Sequence, residues 1–340
     1  MTKKQLPLVL RFILRIFQAI IYWILQIIFI PFVIFGFILL GYKEFVLSKK
    51  LGVTYTAEKV LQLRWFMHMF RTREDEASVR LYKALPVASH ISLLGFSGAA
   101  LIANRLFSYK YSLAVIQEPS EATVISFINT RTVEFDRIME SNMDQMEQVV
   151  IMGAGYDLRV MKYAKGKSVK VFELDLEKIQ NLKVKALTKA GIVHDWITYV
   201  PVDFNNESWQ EKLLENGFNP KKKTFYHWEG VTLYLEEEIV RDTLKTIASI
   251  SPKGSVLSFD YYSKSFFIKG EESWLVKVGL KLSKKTGDQL VFGIDTSGDA
   301  RKNVEVFLKE CSFSLKGLTL IGKKTEKVNP FVGLVEAVVE

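Results

Sequence analysis

Val149-Val150-Ile151-Met152-Gly153-Ala154-Gly155-Tyr156-Asp157-Leu158-Arg159 is the stretch that decides how this chain folds. Four apolar residues predict a buried strand, Gly153-Ala154-Gly155 a tight turn, and the residues from Asp157 a helix. Glycine at 153 and 155 lets the backbone turn sharply and approach a ligand, and the helix start offers free amide donors. A second predicted strand ends in Phe172-Glu173-Leu174-Asp175. An acid there, Glu173 or Asp175, can accept hydrogen bonds from both hydroxyls of a ribose. The combination points to a nucleoside cofactor.

The kind of nucleoside follows from a departure. A dinucleotide turn carries a third glycine three residues after the second, and here that position is Leu158. Asp157 at the helix start is also poorly placed beside phosphate anions. S-adenosylmethionine has no pyrophosphate, so the sequence favours it over NAD.

Outward from this turn, strands and helices alternate. Strands are predicted at Val149–Met152, Val169–Leu174, Thr198–Val202, Thr224–Trp228 and Ser255–Asp260, with helices at Asp157–Ala164, Glu177–Ala190, Glu207–Glu215 and Glu236–Ile250. Such alternation predicts a mostly parallel sheet with helices on both faces. A helix near Arg301–Cys311 precedes two strands, Ser314–Ile321 and Gly333–Val339, expected to form a hairpin that adds an antiparallel edge.

Further candidates lie where these strands end. Asp203 after the third strand can reach an adenine amino group, and Phe204 can pack on the ring; the plainer alternative makes Asp203 a helix cap. Glu229 at the end of the fourth strand can bind the ammonium of a methionine moiety, and Gly230 after it suggests a close backbone approach. Arg131, just before the first strand, can hold a cofactor carboxylate in a bidentate pair.

The N-terminal part differs. Ile16 to Leu40 holds 25 residues without a charge, about 37 Å as a helix and long enough to cross a bilayer. Four basic residues stand on each side, so charge sets no orientation. Pro31 interrupts the run. A single kinked span is expected, with a re-entrant hairpin at Pro31 as the alternative. Residues 51–147 are expected to form a helical cap on the substrate side, with Ile91–Leu106 packed on the core, and residues 148–340 the cofactor-binding core. The catalytic part is placed on the cytoplasmic side of a membrane.

Composition narrows the classes. With 340 residues, 49% of them hydrophobic, the chain can bury a large core. Its one cysteine, Cys311, excludes an intrachain disulfide and a thiolate zinc cluster, and no two of its four histidines stand four apart, so no metal is expected. The net charge of +9 comes from dispersed lysines; no basic helix interleaved with aromatics suggests nucleic acid. Solvated surface lysines are the first reading of that charge, and attraction to an anionic membrane surface is the second.

These motifs together resemble the leucine carboxyl methyltransferase-like family of S-adenosylmethionine-dependent methyltransferases. The matching stretches are Arg131–Asp136 (RTVEFD), Gly153–Arg159 (GAGYDLR), Phe172–Leu176 (FELDL), Pro201–Phe204 (PVDF) and Trp228–Leu235 (WEGVTLYL), with a weaker match at Gln289–Gly293 (QLVFG). The resemblance implies a seven-stranded class I methyltransferase fold, Rossmann-like, and cofactor roles for Arg131, Gly153, Asp175, Asp203 and Glu229. The membrane segment lies outside the family's usual core, and Glu74–Arg105, which helps to form the substrate pocket in the family, matches only loosely.

Transfer of a methyl group to oxygen is the expected reaction, on a small-molecule, lipid-like or protein acceptor. A carboxylate, with a pKa near ~4, is already ionised and needs no base. A hydroxyl needs one, for which His227 and Tyr234 are candidates. Two competing readings are an NAD-dependent oxidoreductase on a similar sheet, which Leu158 and Trp228–Leu235 oppose, and a non-catalytic membrane scaffold, which the intact Gly153, Gly155, Asp175 and Glu229 oppose.

Overall fold

The computed structural model describes residues 7–52, 56–204, 206–264, 290–325 and 329–340. The chain divides into two compact units, Met1–Val115 and Ile116–Glu340. The expected cap, residues 51–147, is therefore shared between the two, and its last helix goes with the sheet.

The first unit is helical. α1 (Leu8–Gly41) runs unbroken through Pro31, so no hairpin forms there. A π-helical turn (Tyr42–Leu47) and α2 (Ser48–Leu51) continue it to Gly52, whose φ of 65° ends the helix. α3 (Thr56–Met69), α4 (Glu76–Ala84) and α5 (His90–Phe107) follow. Asp75 caps α4 by accepting from Ser78 N, and it pairs with Arg73, a buried member of the charged stretch Arg71–Glu76. Half of α5 is buried, and the helix packs on α1: a Cβ at Gly95 would lie 2.6 Å from the Phe32 carbonyl oxygen.

The second unit begins with α6 (Phe127–Asn142) and then alternates: β1 (Gln148–Met152), α7 (Arg159–Tyr163), β2 (Lys170–Asp175), α8 (Glu177–Lys189), β3 (Ile197–Pro201), α9 (Trp209–Glu215), β4 (Thr224–Trp228), α10 (Glu237–Ser249) and β5 (Val256–Ser263). A short β6 (Gly293–Ile294), α11 (Ala300–Lys309), β7 (Phe313–Ile321) and β8 (Val332–Val339) complete it. The lysines at 281, 284 and 285 and the start of the QLVFG match lie outside the described residues.

The sheet order is β3-β2-β1-β4-β5-β8-β7, with β6 paired to β5. β1 to β5 are parallel. Every residue of β1 is buried because helices cover both faces: Val150 and Met152 join one core cluster and Val149 and Ile151 the other. The last two strands form the expected antiparallel hairpin. β8 does not form an edge; it inserts between β5 and β7, antiparallel to both. The edge strand is β7, which burial explains: β8 is sealed over most of its length and β7 is half open.

A candidate cofactor site at the switch point of the sheet

The chain runs outward from β1 to β2 and β3, then returns to build β4 and β5 on the other side of β1. In open α/β sheets a ligand crevice forms at such a reversal, beyond the carboxyl ends of the strands. Gly153-Ala154-Gly155 leaves β1 at that end and Glu229-Gly230-Val231 leaves β4. Gly153 has φ 66° and Gly155 φ 44°, the left-handed region that glycine tolerates. A Cβ at Gly153 would also fall within the envelope of Val231 Cγ2. The first glycine therefore serves the packing of the two turns against each other as well as the bend.

Asp175 closes the first turn. Its Oδ2 accepts from Gly155 N at 2.5 Å and its Oδ1 from Leu176 N at 2.7 Å. Burial pushes its carboxyl above the usual carboxylate range, and the two amide donors pull it back. Glu173, two residues earlier, points the same way from β2 but is covered. Its Oε2 meets Lys183 Nζ at 2.6 Å, both side chains being 1% exposed, and the same Nζ donates to Asp157 O at 2.6 Å. Glu173 is thus spent on an internal ion pair, and of the two expected acids it is Asp175 that stands at the strand end.

Glu229 lies between two guanidinium groups. Arg131 Nε, from α6, is 3.1 Å from Oε1, and Arg159 Nη1, from the start of α7, bonds Oε2. Arg131 Nη1 also reaches Asp260 Oδ2 at 2.7 Å, while Asp260 Oδ1 accepts from Gly230 N at 2.7 Å. Arg159 binds Asp136 through Nε at 2.8 Å, Asp157 through Nη1 and Thr132 O through Nη2 at 3.2 Å. The close approach implied by Gly230 is to Arg131, whose Nη1 would lie 3.4 Å from a Cβ there. Burial works to lower the pKa of both arginines, but the acids, Glu229 and Asp260 at Arg131 and Asp157, Glu229 and Asp136 at Arg159, more than offset it and hold both charged.

This lattice contains four carboxylates (Asp136, Asp157, Glu229, Asp260) and two guanidiniums, an excess of two negative charges when all are ionised. A zwitterion bearing an added sulfonium fits that field; a pyrophosphate does not. Asp157, His227 and Glu229 also bring one ligand atom each within 4.8 Å of one another, the spacing of a metal-binding set. Arg159 Nη1 already sits among them, bonded to both acids and 3.3 Å from His227 Nε2, so a cation's place is taken by a side chain.

The remaining candidates are placed as follows. Asp203 does not cap α9; Ser208 does, accepting from Glu211 N at 3.3 Å. Asp203 Oδ2 instead accepts from Asn206 Nδ2 at 2.8 Å, in the turn after β3. Phe204 is half-buried against the core. His227 is no free base: it is 1% exposed, with Nδ1 2.9 Å from Ser258 Oγ and its ring edge-on to Phe135. Sequence reasoning assigned no role to Arg159, Asp136, Asp157 or Asp260. Three of these stand inside the quoted motifs, and the fourth, Asp260, ends the strand expected from sequence but lies inside β5, which runs on to Ser263.

The strand order and the charged lattice at its reversal define the class I methyltransferase type of fold. Residues 92–248 match the sequence model of the leucine carboxyl methyltransferase family. YktD of Bacillus subtilis, named as an S-adenosyl-L-methionine-dependent methyltransferase, is 30% identical over 146 residues, 42% of this chain and 48% of that protein. A Mycobacterium marinum protein of the same designation is 29% identical over 145 residues, 42% of this chain and 46% of its own length. The chain thus spans about half the length of these curated relatives. Among solved structures, magnesium protoporphyrin IX methyltransferase of Synechocystis PCC 6803 aligns with a TM-score of 0.40 at 14% identity, over 65% of this chain and 90% of that one. The mitomycin 7-O-methyltransferase MmcR aligns at 0.42 and 15%, over 64% and 56%.

Proposed function

We propose that this protein is an S-adenosylmethionine-dependent methyltransferase that methylates oxygen and is held at a membrane by α1, with its catalytic unit on the cytoplasmic side. The observation that carries the reading is the switch-point site: a Gly153–Gly155 turn tied to Asp175, facing an acid-rich lattice centred on Glu229. Bound S-adenosylmethionine would supply an electrophilic methyl group on sulfur. Asp175 would hold the ribose hydroxyls, Asp203 and Phe204 the adenine, and Arg131 with Glu229 the charged ends of the methionine moiety. The excess of acids favours the sulfonium over the neutral thioether product, which assists product release.

Of the possible acceptors, a carboxylate is the better supported. It is ionised without help, whereas His227, the first base named for a hydroxyl acceptor, is buried and already bonded to Ser258. The membrane reading rests on α1, whose uncharged stretch is exposed along most of its length. Ile27 and Ile38 are 65% and 69% exposed, a contiguous apolar surface that water does not favour. Neither the oxidoreductase nor the scaffold gains an observation of its own.

The test is binding followed by turnover. S-adenosylhomocysteine should raise the melting temperature and NADH should not; a shift with NADH alone defeats the cofactor assignment. Label from methyl-labelled S-adenosylmethionine should then appear in base-labile esters of a membrane extract. Label found on nitrogen or carbon would overturn O-methylation, and cofactor binding without transfer to any acceptor would favour the scaffold.

A further inference from the structure

The packing within the first unit bears on how α1 meets a bilayer. α5 lies antiparallel along the second half of α1. Tyr109, just past the end of α5, stacks on Tyr22 with ring centroids 4.5 Å apart, and Lys43 Nζ, just past the end of α1, donates to Ala88 O at 2.6 Å. Between these ends, a Cβ at Gly36 would touch Ser92 O at 3.1 Å. Only Leu8–Ile21 is clear of this contact, fourteen residues or about 21 Å. A hydrocarbon core of about 30 Å needs some 20 residues, so any perpendicular crossing within α1 would take part of α5 with it.

α5 is not free to follow. Its first residue, His90, accepts from Trp65 Nε1 of α3 at 2.9 Å, and Phe70, just after α3, stacks on Tyr111 at 4.7 Å. α3 carries Arg64 and the ionisable Glu58 buried in this unit, groups that a bilayer core would penalise. The sequence of α1 agrees. At about 100° per residue, Arg15, Gln18, Tyr22 and Gln26 fall in one sector of the helix, the sector that continues into Gly36. The opposite sector carries the isoleucines at 20, 27, 34 and 38, each more than half exposed.

We propose that α1 lies along the membrane interface instead of crossing it, with its isoleucine face in the acyl region of the bilayer and its Arg15–Gln26 stripe and α5 on the aqueous side. The reading of α1 as a membrane anchor is presupposed; its angle is what is new. Both ends of the helix are then on one side of the membrane.

The test uses the full chain and does not depend on activity. Pro7→Cys and Lys50→Cys flank α1, and the single native cysteine, Cys311, is buried. Each variant is treated with a membrane-impermeant maleimide in right-side-out and in inverted vesicles, with Lys49→Cys as a second probe of the distal end. In-plane binding predicts that all three sites are labelled in the same vesicle orientation and none in the other. Labelling of Pro7→Cys and Lys50→Cys from opposite faces would establish a crossing and overturn the proposal. Recovery of the protein in the supernatant would remove the anchor itself while leaving the methyltransferase reading standing.

Discussion

Arg159 reaches Glu229 across the reversal point of the sheet, joining the first turn of α7 to the end of β4 with a buried ion pair. The guanidinium is fully buried and Glu229 is 7% exposed. Neither residue is near the other in sequence, and the motif that contains Arg159 suggested no partner for it.

Removing this arginine should be expensive. Arg159→Ala leaves Glu229, Asp136 and Asp157 buried without their shared cation, and breaking a buried pair costs about 3–5 kcal/mol. Arg159→Lys keeps the charge and loses the fork, so it should recover part of the stability. Denaturant unfolding of the two variants checks this. Equal stability of Arg159→Ala and the parent would show that the lattice is not formed in solution.

Gly153 carries two separable constraints. Gly153→Ala meets the cost of a left-handed φ and a collision with Val231, together about 2–4 kcal/mol. Val231→Ala should relieve the collision and leave the backbone cost, so the double variant should be more stable than the sum of the singles predicts. Strict additivity in thermal melts would contradict the contact. It follows that loss of activity in a Gly153 variant cannot by itself be assigned to the cofactor.

Asp175 and Glu173 should separate binding from stability. Asp175→Ala should weaken S-adenosylhomocysteine binding by tenfold or more, an order-of-magnitude figure for loss of charged hydrogen bonds. Lys183→Met should lower stability by about 3–5 kcal/mol by stranding Glu173, with little change in affinity. Calorimetric titration and melting of both proteins measure the contrast, and the reverse pattern would move the ribose site to Glu173.

In the first unit, burial raises the Glu58 carboxyl to about 7, with Lys59 and the Tyr82 hydroxyl pulling it down. The native state therefore holds a proton that the unfolded chain releases near 4.5. Stability from this group is present below that value and is lost as pH rises through about 7, by a total on the order of 3 kcal/mol. Glu58→Gln should flatten the fall in melting temperature between about pH 5 and about pH 8. An unchanged slope would place the titration elsewhere.

Local features made much of this molecule readable. The strand Thr224–Trp228 falls where its apolar pattern placed it, and the other central strands shift by one to three residues at an end. Glycines 153 and 155 sit at positive φ because a sharp turn needs it there. Strand periodicity, glycine turns and acids at strand ends are set by neighbours in sequence, and these gave the sheet and the place of its crevice. What lay beyond reach were relationships between distant segments. The alternation along β2 puts Glu173 and Asp175 on one side of the sheet, but only the packing of Lys183 over Glu173 tells which acid is sealed off. The insertion of β8 beside β5 depends on which strand seals the core better. A run of uncharged residues fixed α1 as a long apolar helix, and only its contact with α5 decided which of its faces is left open. Sequence determined the local geometry because local torsion and hydrophobic period suffice for it; tertiary structure decided charge partners and exposure because both depend on what covers each side chain.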